Sequence, residues 1–156
     1  MGLFPSAKDS ISKNEPVVTS EDDQRKIAYK EYNKANEIAS KNYNDQVKNA
    51  KKSYDEQQKI FSKQYNKRLD ANLALYMENR RNASHQVPNG QKKIDLDQYN
   101  SKCDIDAELY SEQVQKIKIQ YNKKVENALN QFNKHMQYSL DQRSKQLEEI
   151  KEKYSQ

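Results

Sequence analysis

The sequence predicts an all-α protein: a long antiparallel helical hairpin with an extended N-terminal tail. Three observations carry this. First, nine of the eleven tyrosines recur at an interval of eleven residues. They are Tyr32, Tyr43, Tyr54, Tyr65 and Tyr76, then Tyr99, Tyr110, Tyr121 and Tyr154, with Phe132 and Arg143 filling the two remaining slots of the second series. Eleven residues make three turns at about 3.67 residues per turn, close to the roughly 3.6 of a straight α-helix, so such a stripe stays on one face. Second, there is no Pro or Gly between Pro16 and Pro88, and neither follows Gly90. The loops of a β or mixed fold need those residues, so two helices are expected instead. Third, the 156 residues are 33% hydrophobic and 33% charged. That is below the roughly 45–50% apolar content of a globular domain, yet a net charge of only +5 with a clear repeat is unlike a disordered chain.

Residues 1–19 lack the repeat and contain Pro5 and Pro16, which predicts an extended tail. Ser20 offers an N-cap hydroxyl, and Glu21, Asp22 and Asp23 suit the positive end of a helix dipole, so helix 1 is expected over 20–84. Arg80, Arg81 and His85 then lie near its negative end. Val87-Pro88-Asn89-Gly90 reads as a turn, within a connection over 85–95. Asp95 with Gln98 three residues on resembles a capping box, which predicts helix 2 over 96–155.

The same unit recurs in both helices, as Tyr43-Asn-Asp-Gln-Val47-Lys-Asn-Ala50 and Tyr121-Asn-Lys-Lys-Val125-Glu-Asn-Ala128. The seam expected from it has a ring, a residue four later (Val47, Leu69, Val114, Val125), and one seven or eight later (Ala50, Leu73, Ile117, Ala128, Leu129, Leu140). Spacings of four and three are those of a hendecad coiled coil. A turn centred near residue 89 predicts facing positions that sum to about 179. That register sets Tyr76 opposite Cys103, Tyr65 opposite Val114, Tyr54 opposite Val125, Tyr43 opposite Met136 and Tyr32 opposite Leu147, so that rings meet aliphatic side chains. Asn36, Gln58, Arg80, Asp106, Ser139 and Arg143 interrupt the apolar seam. A hairpin so interrupted is marginal by itself, which predicts a homodimer or protein partners in a larger complex, docking along the ring stripe.

Met1-Gly2-Leu3-Phe4-Pro5-Ser6 fits the N-myristoylation pattern, with Gly2 as the acylated residue and a membrane surface as the expected second contact. Helix 1 could supply that contact: residues 24–84 hold fourteen Lys and Arg against seven Asp and Glu, whereas residues 85–156 are nearly balanced at twelve against eleven. The eleven-residue repeat resembles, in its period alone, that of lipid-surface helices such as those of apolipoproteins and synucleins. Hendecad helices also resemble those of the ATP synthase peripheral stalk, which implies as an alternative an accessory subunit of a large mitochondrial energy-transducing complex. A filament- or microtubule-associated rod is a further expectation, from the basic helix 1. The tyrosines lie in the seam and no nucleic-acid motif is present, which argues against nucleic acid. His85, His135 and Cys103 lack ligand spacing, and a straight hairpin offers no concave pocket, so no metal, no cofactor and no enzymatic activity are expected. The expected function is a non-enzymatic structural or scaffold subunit on the cytoplasmic face of a membrane.

Overall fold

The computed structural model describes residues 20–83 and 89–155, and these form two long helices packed as a hairpin, α1 (Glu21–Asn82) and α2 (Asn89–Tyr154). The predicted tail over 1–19, with Gly2, and residues 84–88 of the predicted turn lie outside the described residues. Neither helix is interrupted; no Pro lies within them, and the one Gly, Gly90, sits in the first turn of α2.

α1 starts as its sequence dictates. The Ser20 hydroxyl accepts a hydrogen bond from the Asp23 amide at 3.2 Å, and the Ser20 carbonyl accepts the first helical bond from Gln24 at 3.1 Å. Glu21 also pairs with Arg25 one turn on, at 2.7 Å, and both side chains are solvent-exposed enough to make this a minor contribution. The last backbone bond runs from the Ala83 amide to the Asn79 carbonyl, with Arg80 and Arg81 in the final turn.

α2 begins seven residues before the predicted start at Leu96. Asn89 and Gly90, expected in a turn, are helical, and Gly90 has no positive φ. Asp95 is therefore no N-cap. It is an interior residue whose carboxylate accepts a bond from Gln91 at 3.0 Å and faces Arg80 at 3.7 Å.

The chain divides into two compact units, one of residues up to Glu37 with those from Met136 onward, the other Ile38–His135. In the Ile38–His135 unit the rings meet one another: Tyr43 with Phe132, Tyr54 with Tyr121, Tyr65 with Tyr110 and Tyr76 with Tyr99. Each pair sums to 175. In the other unit the guanidinium of Arg143 lies 4.1 Å from the centre of the Tyr32 ring, again a sum of 175. The expected register of 179, with Tyr opposite Cys103, Val114, Val125, Met136 and Leu147, is thus displaced by one helical turn.

The reason lies in the two other seam slots. With facing positions summing to 175, each slot four after a ring meets a slot seven after a ring, in both directions. A sum of 179 would instead set Ala128 against Lys51 and Ala50 against Leu129, on the flanks. The observed register closes all three slots. Every buried residue among those described occupies the slot seven after a ring position: Ala28, Ala39, Ala50, Ile117, Ala128, Ile150 and Asp95. The residues eight after a ring, Leu73, Leu129 and Leu140, stay exposed and do not belong to the seam.

Because Gly90 sits in the first turn of α2 and a Cβ there would meet nothing within 4 Å, Gly90→Ala should stabilise the hairpin by about 0.4–1 kcal/mol in urea unfolding. A left-handed turn at that position would make the same substitution destabilising. Ala128 is only 2% exposed, so Ala128→Leu should overpack the seam and cost about 1–3 kcal/mol in the same measurement.

Candidate functional site

The predicted site is the ring stripe, and the structure brings its members together in pairs. Tyr65 and Tyr110 stack with centroids 4.8 Å apart and planes 11° from parallel. The Tyr76–Tyr99 pair is at 5.1 Å and 31°, Tyr43–Phe132 at 5.6 Å and 44°, and Tyr54–Tyr121 at 5.7 Å and 47°. Offset and tilted arrangements of this kind avoid face-to-face repulsion of the ring quadrupoles and contribute about 0.5–1.5 kcal/mol each beyond their buried area. The rings are half-buried. They are occupied by one another, so the stripe holds the hairpin closed and is not itself an open docking surface.

Where the stripe departs from an aromatic residue, at Arg143, a cation substitutes for a ring. Its guanidinium covers Tyr32 and lies 5.5 Å from the Tyr29 ring centre. Cys103 holds the slot four after Tyr99. The nearby thiol, which favours the neutral phenol, and to a lesser extent desolvation push Tyr99 up from its ordinary value.

Two polar layers cross the Ile38–His135 unit toward its connecting end. Arg68 Nε lies 3.4 Å from Asp106, whose other carboxylate oxygen accepts a 2.6 Å bond from Asn72. The second layer is Arg80 with the buried Asp95. Both pairs belong to the register of 175, because a one-turn slip would carry Asp95 and Asp106 away from their cations. Breaking a buried pair costs more than the intact pair contributes, so such layers act on register more than on stability.

The flanks of the seam are unlike one another, a feature that the periodicity of the rings alone does not reveal. Residues one before and three after each ring lie on one side, as the cross-helix bond of Gln46 to Gln131 at 3.1 Å requires. In the Ile38–His135 unit this side is rich in glutamine, including Gln57, Gln64, Gln98, Gln113 and Gln120. Residues one after each ring lie on the other side, which has Asn44, Asn66, Asn100, Asn122 and Asn133. A sequence signal was available: Gln-Tyr-Asn occurs at 64–66, 98–100 and 120–122, and Gln-Phe-Asn at 131–133.

In the other unit, an open groove of about 400 Å³ runs between the helices, lined by Ile27, Ala28 and Ile150 with Glu31, Glu149 and Lys153 at its edges. Gln146 spans the helices there to Glu31 at 3.2 Å. Among the described residues no three His, Cys, Asp or Glu side chains are gathered to hold a metal ion, and no helix is long and apolar enough to cross a membrane. Comparison with protein-family models matches no family, and comparisons with curated proteins and with solved structures find no similar chain.

The stacked pair should show its coupling directly. In a double-mutant cycle of Tyr65→Leu and Tyr110→Leu, urea unfolding should return about 0.5–1.5 kcal/mol of interaction energy, and a value near zero would mean the rings do not pack on each other in solution.

Proposed function

We propose that this protein is a non-enzymatic structural or scaffold subunit of a larger assembly, which docks partner proteins along the flanks of its helical hairpin and is tethered to a membrane through N-myristoylation at Gly2. The observation that carries this reading is the economy of the seam. The buried residues of its deep slot are four alanines, two isoleucines and an aspartate, with Phe61 half-buried in the same slot, while Ile27, Ile38, Ile60, Ile94, Ile105 and Ile119 are about half exposed or more. Burial of an alanine methyl contributes about 0.8 kcal/mol, so the deep slot adds little, and a row of aliphatic side chains is left for a partner. The absence of an expected catalytic constellation in the sequence supports the non-enzymatic part. The Met1-Gly2 start and Ser6 support the lipid part.

An accessory subunit of an energy-transducing complex and a filament-associated rod are the readings to be separated from this one. Purification from the native source should yield a stable stoichiometric complex, and a chain that fractionates alone would defeat the scaffold reading. Intact mass should drop by one myristoyl group when the myristoyltransferase is inhibited. An unchanged mass removes the tether and leaves the soluble or filament-bound alternatives, which flotation and co-sedimentation distinguish.

A further inference from the structure

We propose that the glutamine-bearing face of the Ile38–His135 unit is a docking surface for an acidic amphipathic helix of a partner protein. The proposal rests on the scaffold reading and assigns it a face and a partner chemistry. The face comprises the residues one before, three after and six after each seam ring. No Asp or Glu of the unit falls on it. It carries Arg68, Lys102, Lys116 and Lys124 instead, and the three lysines are exposed. Arg68 alone is turned inward, onto Asp106.

The opposite face has no such bias. Its equivalent positions include Asp55, Asp70, Asp104 and Glu126 interspersed with lysines, as a solvated coiled-coil flank usually has. Folding of the hairpin does not require the carboxylates to be missing from one side, because both flanks face solvent equally. A face stripped of one sign of charge is suited to a ligand of that sign.

Aliphatic side chains on the same face give it something to bury. Ile38 and Ile60 repeat on α1 at twice the eleven-residue interval, and Ile94 and Ile105 repeat on α2 at that interval, with exposures between 49% and 64%. Leu75 and Leu109 add to the row. A helix laid along the two-helix groove meets Lys102 and Lys124 nearest the seam, Leu75 and Leu109 next, and the isoleucines with Lys116 along the outer edges of the face.

Three other occupants fit less well. A second copy of this chain would set Lys102, Lys116 and Lys124 against like charges. A bilayer would receive, at the positions pointing most directly outward, Asn42, Ser53, Gln64, Gln98, Gln120 and Gln131, whose amides and hydroxyl are costly to place in hydrocarbon. Nucleic acid would find no aromatic residue on this face on which to stack.

The test uses the full chain and two synthetic helical peptides with the same leucine stripe, one flanked by Glu and one by Lys. The Glu peptide should bind at least about tenfold more tightly by fluorescence anisotropy, and raising the salt should weaken it. The triple variant Lys102→Glu, Lys116→Glu, Lys124→Glu should abolish that preference. The control Lys51→Glu, Lys59→Glu, Lys118→Glu, with the same change of net charge on the opposite face, should retain it, and circular dichroism should show both variants equally helical. Equal loss in the two variants, no preference between peptides, or no binding of either overturns the proposal. Binding instead to vesicles containing phosphatidylserine, lost only in the first variant, overturns it in favour of a membrane. If the first variant still copurifies with the native complex, the face is wrong and the scaffold reading stands. If the unaltered chain copurifies with nothing, the scaffold reading itself has failed.

Discussion

Ring packed against ring, once every three helical turns, is the contact on which the rest of this hairpin depends. Two helices alone make a thin interface, and a thin interface has few ways to fix register. Pairing Tyr65 with Tyr110, and each other ring with its counterpart in the same unit, sets the facing positions at a sum of 175. The remaining slots then interlock, with a small deep residue on one helix facing a larger one on the other. Ala50 and Ala128 are buried because this register places them inside, and Arg80 reaches Asp95 for the same reason. A displacement of a single turn would lose the ring pairs, expose the alanines and part Asp95 and Asp106 from their arginines, all together. The aromatic, small-residue and ionic layers all favour one alignment, as a chain with a single native arrangement requires.

The narrow seam explains why the flanks carry the functional argument. A seam of alanine and tyrosine contributes little beyond closing the hairpin, and the tyrosines are used up in the process. What remains available lies one helical position to either side. Within the Ile38–His135 unit the two faces differ in a way that the hairpin does not need: one bears glutamine, lysine and isoleucine and no carboxylate, the other asparagine with charges of both signs.

Much of this was legible in the chain itself. The eleven-residue interval, the Pro- and Gly-free stretches and Ser20 before three acidic residues sufficed for two uninterrupted helices and the start of the first, because those features act through the local backbone. The start of α2 was misplaced because Asp95 and Gln98 imitate a cap. Asp95 is committed to Arg80 across the seam, a partner visible only once the helices are packed. The asymmetry of the flanks was present in the Gln-Tyr-Asn triplets, but it acquires meaning only when the two helices show which neighbours share a side.

Period and composition, then, determined helix, hairpin and stripe, since each follows from residue spacing along one helix. Register was decided only by the tertiary structure. A stripe of rings on each helix is compatible with rings meeting rings or rings meeting aliphatics. The choice is made by the slots between them, where Ala28, Ala50, Ile117 and Ala128 are buried only if every layer closes at once.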